Sequence, residues 1–169
     1  MGGSSGQEGI YLGGSLPTLN KSFSPTMIGV GQATVLTFIL SVPAGNPAGS
    51  NVSFVDTLAA SLHVATNLVG GTCANAAAAT SVTVGGHVIK VSGLQVPAGG
   101  PSGASCCTVT VNVTAADGNA SCNGNPAGFT NSSANVTVTF ANNSVQPSCL
   151  VVTSQPISVS PAGCSRCSL

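Results

Sequence analysis

Read as a succession of apolar and polar positions, the chain divides into short strands. In the segment TVLTFILS, residues 34–41, Leu36, Phe38 and Leu40 fall on one face, as a half-buried antiparallel strand requires. Val35 and Ile39 fall on the other, where a soluble monomer would ordinarily carry Thr, Ser or Lys, so the pattern asks what covers the second face. Similar runs recur, separated by Gly, Pro, Asn and Ala clusters such as PAGNPAGSN, VGGTCANAAAAT and PAGGPSGAS. They predict strands at 18–23, 34–41, 52–56, 62–65, 82–84, 88–92, 106–113, 134–140 and, interrupted by Pro156, 150–159. Helical periodicity is absent apart from the alanine run 76–79, which is too short to stand alone. The expected fold is all-β: an antiparallel sandwich of about seven to nine strands. Its predicted core holds Leu36, Phe38, Leu40, Val52, Phe54, Val109, Val111 and Val113.

Composition narrows the function classes. The chain has 169 residues, the size of one domain, and only 4% of them are charged, with zero formal net charge. Copies repel one another feebly, so association is expected. Lys21, Lys90 and Arg166 are too few to neutralise a row of phosphates, which argues against nucleic acid and against an anionic membrane surface. No apolar run approaches the roughly 18–20 residues that span a bilayer, so no membrane span is expected. The opening MGGSSGQEGIYLGG has neither a basic n-region nor an apolar h-region and does not read as a signal peptide. The expectation is a leader already removed or a piece of a longer chain. Seven cysteines without metal-type spacing point to an oxidising compartment, and the protein reads as secreted, extracellular or at the cell surface.

The order PTLNKSFSP, TVLTFILS, NVSFVDTLAASLHV, a Cys-containing loop, PAGG, CTVTVNV and AGFTNSS resembles the Ig-like "conserved repeat" domains of bacterial and archaeal surface and secreted proteins, over about residues 17–135. Where those domains continue the Phe-x-Asp-x-Leu segment with a Pro-Ala-Gly turn, this chain has Ala59-Ala60-Ser61-Leu62. The resemblance implies an Ig-like sandwich over 17–160, flanked by a Gly-rich tail 1–16 and a Cys-containing tail 161–169. It also implies a Cys73–Cys107 disulfide, because the resembling domains place a partner in the loop holding Cys73.

Ig-like surface domains sometimes close a Lys-to-Asn amide between first and last strands, promoted by a buried carboxylate. Lys21, Asp56 and a late Asn131, Asn135, Asn142 or Asn143 supply the ingredients. Lys and Asp at these positions are also ordinary in the resembling repeats without such a bond. Lys21 is therefore read as a surface lysine and Asp56 as a strand-end cap, with intact mass as the arbiter.

Catalysis would have to draw on Glu8, Asp56, Asp117, His63 and His87. Glu8 lies in the Gly-rich tail, Asp117 in an Ala-Asp-Gly-Asn turn, His63 on an outward strand position and His87 after a Gly-Gly turn, so no catalytic, cofactor or metal site is expected. Cys106 must face opposite to Cys107 and can meet Cys122 or Cys149, while Cys164 and Cys167 form either a tail staple or further partners. An odd number leaves at least one thiol free or joined to another chain. Seven Asn-x-Ser/Thr sequons, at Asn20, Asn51, Asn112, Asn119, Asn131, Asn135 and Asn142, arise mostly by chance in so Asn-rich a chain, though glycans on the exposed ones would supply hydration.

The tail segment Ile10-Tyr11-Leu12, with Gly on both sides, is suited to add as a strand to the sheet edge of a neighbouring copy. Such head-to-tail contacts do not close on themselves and make fibres. Val35 and Ile39 would then be covered by another subunit or by a tail. The expected function is a structural subunit of an extracellular self-assembling filament, sheath or matrix, a homopolymer stabilised by disulfides. The alternative is an adhesive or spacer binding module of a surface protein; an enzyme ranks third.

Overall fold

The structure, a computed structural model of the chain, describes residues 15–48, 51–116 and 130–154. Its elements in chain order are β1 (Thr18–Ser24), β2 (Met27–Gly29), β3 (Ala33–Val42), β4 (Val52–Thr57), β5 (Leu62–Gly70), α1 (Ala76–Ala79), β6 (Thr80–Ser81), β7 (Val88–Leu94), β8 (Ser105–Ala115), β9 (Thr130–Asn131), a 3-10 turn (Ser133–Asn135), β10 (Val136–Thr139), β11 (Asn142–Asn143), β12 (Ser148–Cys149) and β13 (Val151–Thr153).

The fold is an all-β sandwich. One sheet runs β11-β1-β3-β8-β5 and the other β10-β4-β7-β6, with β12-β9 and β13-β2 as two-stranded additions. Pairing is antiparallel except for β1 with β11 and β2 with β13. The long strands β3 and β8 are in register over their full contact, Leu36 opposite Val111 and Phe38 opposite Val109. Alternation sends Leu36, Phe38, Leu40, Cys107, Val109, Val111 and Val113 inward, where they meet Val52 and Phe54 from the other sheet. All eight core residues expected from the sequence are buried. Phe38 and Phe54 join the two sheets directly, their ring centroids 4.8 Å apart and tilted by 46°.

Three expected strands are redrawn. Residues 82–84 are not a strand: ahead of them lie only α1 and the two-residue β6, and the chain then enters a turn in which Gly86 N–H donates to Thr83 and Gly85 takes φ +77°. That turn docks on β5, where Val64 exchanges hydrogen bonds with Gly85 and Gly86. The expected strand 134–140 begins at Val136, because Ser132 and Asn135 cap the preceding 3-10 turn reciprocally, and it ends before Phe140, which takes φ +62°. The last expected strand, 150–159, is present as β13, and its remainder from residue 155 lies outside the described residues.

Candidate functional site

β1 alternates Leu19, Lys21 and Phe23 inward, so its lysine points into the core between two large apolar residues. β4 does the same with Val52, Phe54 and Asp56. Asn131 arrives on β9, held at the backbone by pairing with Ser148 of β12. These three side chains meet. Lys21 Nζ donates to Asp56 Oδ1 at 2.7 Å and also to Asn131 Oδ1, while Asn131 Nδ2 donates to Asp56 Oδ2 at 3.2 Å. Lys21 is 4%, Asp56 0% and Asn131 2% exposed, so this closed triangle is cut off from solvent.

Burial pushes the Lys21 ammonium down from its ordinary 10.5 and the Asp56 carboxyl up from its ordinary 3.8, each against the attraction of the other. Both shifts favour the neutral pair, an amine beside a carboxylic acid. The triad sets an amine, a carboxyl group and a carboxamide in mutual contact across both sheets. This corrects the reading of Lys21 as a surface lysine and of Asp56 as a strand-end cap. The missed signal was the phase of the strands: Lys21 is in step with Leu19 and Phe23, and Asp56 with Val52 and Phe54. Of the late asparagines only Asn131 joins Lys21; Asn135 caps its 3-10 turn, Asn143 bonds the backbone of Ser133 and Val136, and Asn142 is exposed.

A second constellation surrounds the disulfide between Cys73 and Cys107. Gly71, at φ +130°, lets the chain press onto β8: a Cβ there would lie 2.1 Å from the Thr108 carbonyl oxygen. That oxygen accepts from the N–H groups of Thr72 and Cys73, which sets Cys73 over Cys107. Cys106 points the other way, exposed and with a free thiol, so it pairs with neither Cys122 nor Cys149; Cys149 is disulfide-bonded. Cys122, Cys164 and Cys167 lie outside the described residues, as do Glu8, Asp117 and the tail residues Ile10, Tyr11 and Leu12. An open cleft of about 550 Å³ lies beside the disulfide, lined by Thr72, Ala74, Gln95, Val96, Pro97 and Cys106 among others.

The remaining candidates are dispersed. His63 is half-buried on β5, opposite Thr114. His87 Nδ1 lies 2.6 Å from the Leu62 carbonyl oxygen, and its own carbonyl accepts from Leu58 N–H, so it fastens a turn. Val35 and Ile39 are half-buried on the outer face of β3, framed by short polar neighbours: Ser24 and Asn112 flank Val35, and Asn20 and Thr108 flank Ile39. Among the sequons, Asn20, Asn51 and Asn142 are exposed, whereas Asn131 is buried in the triad. Among the described residues no helix is long and apolar enough to cross a membrane.

A family model described as a domain of unknown function, DUF7933, matches residues 17–152. No curated protein matches the chain.

Proposed function

The chain belongs to the DUF7933 family, and we propose that it is a secreted structural subunit of an extracellular filament, sheath or matrix built from identical copies. The observation that carries this reading is the buried triad. It ties the first strand of one sheet, through β4 of the other, to a segment 110 residues later in the chain. A sandwich pulled from its ends fails first where its terminal strands peel away, and a brace between early and late strands opposes that. The Cys73–Cys107 bridge locks a second part of the same core.

Assembly has a seat on the β5 edge of the larger sheet beyond Val64, whose own N–H and C=O are already taken by Gly86 and Gly85. The register between β5 and β8 slips between Val64 and Val69, which leaves the intervening residues outside the ladder, and Leu68 there is 72% exposed. An extended segment from a neighbour, Ile10-Tyr11-Leu12, would pair with this edge through main-chain hydrogen bonds. With 4% charged residues, little electrostatic repulsion resists such packing. Electron microscopy of the purified chain at neutral pH tests the reading: filaments or sheets are expected. Deleting residues 1–14 should leave a folded sandwich that no longer polymerises. A full chain that stays monomeric at high concentration contradicts the subunit role, and unchanged filaments from the deleted chain contradict the tail as connector.

A further inference from the structure

We infer that Lys21 and Asn131 condense into an amide bond that covalently joins β1 to β9, with Asp56 as the group that carries the protons. An ammonium set between Leu19 and Phe23 on a core face is expensive, and a buried ion pair at best breaks even with apolar packing. What the position does provide is reactivity. The amine touches the carboxamide on its oxygen side, one covalent bond from the carbon it would attack. The carboxamide nitrogen, which must leave, donates to the carboxylate that would protonate it. The other oxygen of that carboxylate accepts from the amine itself. One carboxyl group therefore reaches both the attacking and the departing nitrogen, in a site closed to competing water.

The step balances without any further reagent. A proton passes from the Lys21 ammonium to Asp56, giving an amine and a carboxylic acid; burial favours this neutral pair. The Nζ lone pair attacks Asn131 Cγ, forming the new C–N bond as the carbonyl electron pair moves onto Oδ1. Asp56 hands a proton to Nδ2 and takes a second from Nζ. The Cγ–Nδ2 bond then breaks, ammonia leaves with the electron pair, and the carbonyl re-forms. Of the five hydrogens on the ammonium and the carboxamide, one ends on the new amide, three on ammonia and one on Asp56. Two charges vanish from the core, and loss of ammonia to bulk solution makes the bond permanent.

The sequence offers a direct test, because trypsin cuts after free Lys and Arg but not after an acylated Lys, and its sites here are Lys21, Lys90 and Arg166. The full chain, purified folded and then reduced and denatured, should resist cutting after Lys21. The peptide ending at Lys90 should be recovered joined to the one beginning at Val91, lighter than their sum by one ammonia, with fragmentation placing the junction on Lys21 and Asn131. Complete cutting after Lys21, or a junction on another asparagine, overturns the proposal. The wild-type digest decides the bond by itself. The Asp56→Asn chain, its fold checked by its strand spectrum and its retained Cys73–Cys107 bridge, decides the role of the carboxyl: free Lys21 is expected, and an undiminished cross-link would remove Asp56 from the mechanism.

Discussion

Lys21 occupies a position that alternation reserves for an apolar side chain, and its partners account for its presence there. Asp56 is the residue whose environment makes the sharpest solution prediction. Its carboxyl is raised above 3.8 chiefly by burial, so the folded state holds a proton that the unfolded chain has released. Its contribution to stability is then fully present below that value and is lost as pH rises through the folded carboxyl's titration. Denaturant unfolding at successive pH values should show this decline from the acid side in the wild type and not in Asp56→Asn. Equal slopes in the two proteins would mean that Asp56 titrates normally. Much of this was readable: the period-two phase of LNKSF and VSFVD already places both ionisable groups inward. Asn131 was not readable, because it sits on a two-residue strand whose place depends on pairing with β12 rather than on any local pattern.

At the scale of the element, β3 and β8 behave as their alternation dictates, since long runs of β-branched and aromatic residues bury one face whatever surrounds them. Phe38→Ala should cost about 3–5 kcal/mol, measured by urea unfolding, because the ring is fully buried against Phe54 and its removal leaves a cavity between the sheets. A loss within a few tenths of a kcal/mol would show that the sheets close over the gap. Replacing Cys73 and Cys107 by Ala should destabilise by about 2–5 kcal/mol, since the bridge constrains a span of 34 residues in the unfolded chain. If the double variant unfolds at the wild-type midpoint, the hydrogen bonds to Thr108 hold that loop unaided. The short strands β2, β9, β11 and β12 escaped sequence reading for a physical reason. Two or three residues carry no periodicity, and only partners already placed by the larger sheets select their extended form.

At the scale of the whole molecule, a sandwich joined in this way is braced against being drawn out from its ends. The brace joins positions 110 residues apart, so a chain pulled by its two termini should transmit force through the Lys21–Asn131 junction and leave the residues between them folded or slack. Without the junction, those 110 residues would add about 360–400 Å of contour length on extension. Single-molecule stretching of the reduced full chain measures this quantity directly. With the junction in place, extension should stop short by that length at every force below covalent rupture, and the Asn131→Ala chain should recover it. Wild-type extension to the full contour length of the polypeptide would contradict the junction.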